Sequence, residues 1–148
     1  MFIDRGTTGL KKKNSGIIII LMAVALPALL AIVGLAIDSA RAYGVKANLS
    51  AAVDAASLAA ARAISDGEVA AIKAADKFFA ANFPAGYFDS TPGSPSVSFS
   101  YGIDGDISID VSATAKMPTT FLKIVGVDEM DIGSVAQTIR RPVDLSFV

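Results

Sequence analysis

With 148 residues, 53% of them hydrophobic, and 13 Lys and Arg against 14 Asp and Glu, the chain has room for at most one small soluble domain and no charge excess that asks for nucleic acid. It contains no cysteine and no histidine, which removes thiol nucleophiles, disulfides, the usual zinc sites and the commonest general base. A Ser-Lys or paired-carboxylate mechanism stays formally open, but no spacing favours one, so the sequence reads as non-enzymatic, with no catalytic, cofactor-binding or metal-ligating residues.

Residues 1–15 form a basic leader in which Arg5, Lys11, Lys12 and Lys13 outnumber Asp4. An uncharged run from Asn14 to Ile37 follows, and its 13 Leu, Ile and Val side chains favour membrane insertion by roughly 4–8 kcal/mol in total. Its length matches a hydrocarbon core of about 30 Å, so residues 16–37 are predicted to be a single transmembrane helix with the lipid bilayer as its partner. A buried core helix is usually shorter and lacks an abutting lysine cluster. A cleaved secretory signal has a shorter apolar region and a better cleavage site than Ala40-Arg41-Ala42, which carries a charge. The basic leader, with Lys11, Lys12 and Lys13 setting topology, holds the N-terminus in the cytoplasm and sends the chain from Asp38 onward across the membrane. Pro27, in mid-span, predicts a bend.

Past Ile37 the sequence is alanine-rich and free of proline, so the helix is expected to run on from Ile17 to Ser65, roughly 70 Å, with Gly44 its weak point. Residues 38–83 are read as an extracytoplasmic helical region. Ala36, Ala40, Gly44, Ala47, Ala51, Ala55, Ala59 and Ala63 recur at short helical steps and make a candidate ridge for close helix packing, although alanine is also simply the best helix former. Leu49, Val53, Ala56, Ala60 and Ile64 form an apolar stripe that needs cover. A second helix from Gly67 to Asn82 can fold back over it with Val69, Ile72, Ala75, Phe79 and Phe83 inward. Pro84 ends that helix, and residues 84–96 read as a loop.

From residue 97 the period becomes two, and residues 97–141 are predicted to be a small antiparallel sheet. A two-residue Asp104-Gly105 turn would set Tyr101 opposite Ser108, mixing apolar and polar side chains on one face. A three-residue loop, Ile103-Asp104-Gly105, with glycine in the left-handed position pairs Tyr101 with Ile107, Phe99 with Ile109 and Val97 with Val111. Asp104, Asp106 and Asp110 lack calcium-loop spacing and suit a solvated turn. A short helix near residues 119–125, capped from Pro118-Thr119-Thr120 and stopped by Gly126, separates the hairpin from a third strand, Met130 to Arg140, whose alternation slips near Gly133-Ser134 as at a bulge. Residues 142–148 read as the start of a following domain or a tail. The fold class is therefore α+β: a transmembrane helix continuing into a long helix, a second helix, then a small antiparallel sheet.

Ala25-Leu26-Pro27, Gly34-Leu35-Ala36-Ile37-Asp38, Arg41-Ala42-Tyr43, Leu49 and the run from Ala52 to Ala61 together resemble the TadE/TadG-like proteins of the bacterial tight-adherence, or Flp, pilus machinery. Thr119 to Gly126 followed by a strand resembles a later stretch of TadG-like proteins. The resemblance implies a pilin-like layout and a single-pass inner-membrane protein that meets other pilus-assembly or pilin-like subunits, with a homo-oligomer left open as a further partnership. In TadG-like proteins a von Willebrand A-type domain often follows. Val143 to Val148 resembles its opening strand, but no metal motif comes after it. Type IV pilins are cut after a glycine that follows a basic leader and precedes a glutamate by five residues. Gly16 before Ile17 fits the glycine, whereas the fifth residue on is Leu21, so a retained leader is expected, with processing after Gly16 into a minor pilin or pseudopilin as the alternative.

Overall fold

The computed structural model describes residues 15–84 and 86–141. The basic leader with Lys11, Lys12 and Lys13, and the tail of residues 142–148, lie outside the described residues. Helix α1 runs unbroken from Ser15 to Ala63, past Pro27 and Gly44, so the apolar span and the alanine-rich stretch are one rod of about 70 Å. Over residues 16–37 its side chains are exposed except Ala25 and Gly34, and the stretch has the length and composition to cross a membrane. A 3-10 turn, Ile64–Asp66, then reverses the chain at Gly67, whose φ of 104° suits glycine alone.

Helix α2, Glu68–Asn82, folds back antiparallel on α1. It buries Ala71, Ala75 and Phe79, with Phe83 just beyond, a row at four-residue steps. Val69 and Ile72, expected inward, are exposed instead. Small side chains decide this: Ala52, Ala56 and Ala60 of α1 share one core with α2, and alanines at 71 and 75 let the axes approach more closely than branched residues would. The stripe of Leu49, Val53, Ala56, Ala60 and Ile64 is buried throughout.

The stretch read as a loop contains a 3-10 turn, Tyr87–Asp89, and a two-residue strand β1, Thr91–Pro92. Strands β2 (Ser96–Tyr101), β3 (Ile107–Pro118) and β4 (Glu129–Arg140) complete an antiparallel sheet with β3 central. β4 covers one edge of β3 along its whole length, while β2 and then β1 share the other edge. Pro92, which has no amide hydrogen, is tolerated on this short edge strand. Tyr101 pairs with Ile107, Phe99 with Ile109 and Val97 with Val111, and Gly105 sits at φ 77° in the connecting loop, as the facing argument requires.

One face of β3, with Ile109, Val111, Ala113, Ala115 and Met117, packs on α1, and the alternate face carries Ser108, Asp110, Ser112, Thr114 and Lys116. The ladder between β3 and β4 is continuous, so the slip near Gly133-Ser134 is not a bulge. Ser134 points inward because its hydroxyl bonds that of Ser50 on α1 at 2.9 Å, and Thr138 similarly meets Ser57 at 2.9 Å. Polar residues at inward positions of β4 are thus explained by polar partners on the helix rather than by a change of register.

Candidate functional site

Where α1 leaves its apolar stretch, Gly34, Asp38, Arg41 and Gly44 lie along one side of the helix and meet two turns from the rest of the chain. The first is the 3-10 turn Leu122–Val125, which follows β3. Three N–H groups at its start have no intrahelical acceptor, the ordinary condition of a helical N-terminus. Asp38 supplies one for each: Oδ1 accepts from Thr120 at 3.0 Å, and Oδ2 accepts from Phe121 at 2.9 Å and from Leu122 at 2.8 Å. The expected cap from Thr119 or Thr120 does not form. Thr119 is buried with its hydroxyl donating to the Val127 and Asp128 carbonyls, which closes the neck of the loop. Gly126, at φ 87°, ends the turn as expected.

Asp38 is fully buried. Burial alone would raise its pKa, but the N–H donors of Leu122, Thr120 and Phe121, together with the Arg41 guanidinium 3.8 Å away, outweigh it and hold the carboxyl below the ordinary aspartate value. A buried carboxylate that kept only the arginine would be costly; three backbone donors make it tenable.

Arg41 extends the arrangement to the second turn, Tyr87–Asp89. Its guanidinium donates to Thr120 Oγ1, to the Phe88 carbonyl at 3.1 Å and to Asp89 Oδ2 at 3.4 Å, and lies 5.7 Å from the centre of the Phe88 ring. Phe88 and Asp89 both have positive φ, 49° and 59°, a conformation that costs a bulky residue about 1–2 kcal/mol and here brings the Phe88 ring onto Gly44. A Cβ on Gly44 would lie 2.8 Å from that ring, and one on Gly34 would lie 2.5 Å from Phe121 Cβ. Both glycines therefore permit close approach of an aromatic side chain, so Gly44 is a seat rather than a weak point in the helix.

The ridge residues fall in different surroundings. At 100° per residue a four-residue step drifts by about 40°, so the ridge winds around the helix. Ala36, Ala40, Ala47 and Ala51 are exposed and share an arc of about 60° with Leu58, while Tyr43, 77% exposed, borders them. Gly44 lies under Phe88. Ala55, Ala59 and Ala63 line a shallow apolar groove of about 510 Å³ between α1 and α2, with Leu58, Ala74 and Phe78. Among the described residues no three acidic, His or Cys side chains converge as metal ligands would.

Residues 16–63, about a third of the chain, match the model of a family described as "Putative Flp pilus-assembly TadE/G-like". The chain carries a TadE/G-like segment. That segment coincides with α1, and so contains the apolar span, the Asp38 and Arg41 clamp, both glycine seats and the exposed alanine stripe. Its partners in the clamp, residues 87–89 and 119–127, lie outside the matched stretch. No curated protein and no solved structure matches the chain. Asp38 and Arg41 carry the family resemblance in the sequence, but nothing in the sequence reading assigns them the capping and bridging contacts seen here. The overlooked signal was a lone carboxylate immediately after an apolar run, with an arginine at i+3 and a turn elsewhere lacking its own acidic cap.

Proposed function

We propose that the chain is a non-enzymatic structural component of a bacterial Flp pilus-assembly machinery, anchored in the inner membrane by residues 16–37 with its helical region and sheet on the extracytoplasmic side. The observation that carries this reading is the TadE/G-like match on a helix that is apolar and exposed at one end and the central strut of a packed domain at the other. The lysine-rich leader supports a cytoplasmic N-terminus.

Docking to partner subunits proceeds through helix packing. Two features support it. The stripe of Ala36, Ala40, Ala47 and Ala51 is smooth and free of intramolecular cover, with Tyr43 beside it as an aromatic anchor. The groove at Ala55, Ala59 and Ala63 continues the apolar surface toward α2. Because the chain has no cysteine, single substitutions Ala51→Cys and Ala55→Cys report on neighbours without background. In cells assembling the pilus, oxidation or a short bifunctional reagent should trap either variant with another subunit of the machinery. Membrane-inserted protein that yields no such adduct from either position would refute the docking.

A further inference from the structure

The turn that Asp38 caps also has an outward face, and it is apolar. Ile124 is 83% exposed and Val125 67%, with Phe121 and Val127 partly so. This loop does not project into the space around the sheet. It lies along α1, where Phe121, Leu122, Ile124 and Val125 border a pocket of about 550 Å³ whose opposite wall is Pro27, Leu30, Ala31, Ile32 and Leu35. Those helix residues belong to the apolar span. Pro27 precedes Asp38 by eleven residues, which is about 16 Å along the axis, half the thickness of a hydrocarbon core. The span cannot slide outward to escape this, because residues 16–37 are only just long enough to cross.

Hydrocarbon requires the polar groups of a non-helical segment to find partners without water, and six of the loop's amides do so. The amides of Thr120, Phe121 and Leu122 donate to Asp38, and those of Ile124, Gly126 and Val127 donate to the carbonyls of Phe121, Lys123 and Leu122. Lys123, the loop's one cation, is exposed and long enough to carry its ammonium up to the headgroups.

We propose that residues 121–125 are a second membrane-contact element, inserted beside α1 in the leaflet on the side of the sheet, with lipid acyl chains filling the pocket between loop and helix. The proposal rests on the membrane reading of α1. Asp38 and Arg41 then mark the level at which the protein passes from lipid to water, and the sheet is held against the membrane surface at two points rather than one.

The chain has no tryptophan, so single-tryptophan variants of the full chain in lipid vesicles report depth directly. Ile124→Trp, with Val125→Trp as a second reporter, is compared with Leu29→Trp in the span and Ile103→Trp in the hairpin loop. Tryptophan at 124 and 125 should lose most of its emission in vesicles of acyl-brominated lipid and resist aqueous acrylamide, as at 29, while 103 shows the reverse. Acrylamide quenching at 124 and 125 with lipid quenching at 29 would overturn the inserted loop and leave the anchor standing. Aqueous behaviour at 29 would overturn the anchor and the loop together. Protection of 124 and 125 from both quenchers would mean that protein covers them, and would also overturn the proposal.

Discussion

Replacing Asp38 by asparagine keeps the shape of the side chain and removes its charge, so it isolates what the carboxylate contributes. Oδ2 accepts two amide hydrogens and Oδ1 accepts one while facing Arg41. The best asparagine rotamer puts its carbonyl oxygen in the two-bond position and turns its NH₂ toward the Thr120 N–H and the guanidinium. One bond to a charged acceptor, worth about 1.5–3 kcal/mol, is lost, and the remaining two weaken by about 1 kcal/mol each as the acceptor becomes neutral. The total of about 3–5 kcal/mol corresponds to a shift of at least 10²-fold in the opening equilibrium of the loop. Hydrogen exchange followed by mass spectrometry on the chain in lipid nanodiscs reads this as faster exchange in peptides covering residues 119–127. Peptides from the paired middle of β3 should change much less, because its ladders to β2 and β4 do not depend on Asp38. Exchange in 119–127 within threefold of the wild type would refute the capping role. Acid does the same experiment without mutation. Because the folded-state pKa of Asp38 is lowered, its contribution is complete above the unfolded value of about 3.9 and disappears as pH falls through the lowered folded value, so wild type and Asp38→Asn should converge in acid.

Gly34→Ala drives a methyl group into Phe121 and should destabilise the loop by about 1–3 kcal/mol, offset by up to about 1 kcal/mol from losing a helical glycine. In a Phe121→Gly background, which removes the Cβ as well as the ring, the same substitution should be neutral or stabilising, and a double-mutant cycle in urea unfolding that shows no coupling would contradict the contact. Leu49→Ala, at a fully buried position in the core shared by the helices and the sheet, should cost about 2–5 kcal/mol in the same assay. Tyr43→Ala should leave unfolding within about 0.5 kcal/mol of wild type yet lower the yield of Ala51→Cys adducts; equal yields would remove Tyr43 from the docking surface.

The features legible in the sequence were those set by neighbours along the chain. The hairpin register followed from keeping Tyr101, Phe99 and Val97 on one face with their partners, and the long helix from the lack of any breaker strong enough to stop it. Where the decisive partner is remote, the sequence was silent. Asp38 meets its donors 82 to 84 residues away, and Ser134 meets Ser50 across 84 residues. The local pattern therefore reads the inward serine as a bulge and gives no sign that Asp38 caps a turn. On α2 the inward Ala75, Phe79 and Phe83 are legible from the helical period, but hydrophobicity adds Val69 and Ile72 to them, whereas the close approach of two alanine-rich helices buries Ala71 instead.

In the membrane setting proposed above, a single uninterrupted helix is both tether and central strut and leaves the sheet no hinge about which to swivel. The exposed Ala36, Ala40, Ala47 and Ala51 and the strands lie on different sides of that shaft, so a neighbour seated on the alanines has the strands turned away from it. Twisting the tether within the bilayer would carry the whole outer body round with it, as a key turns its bow.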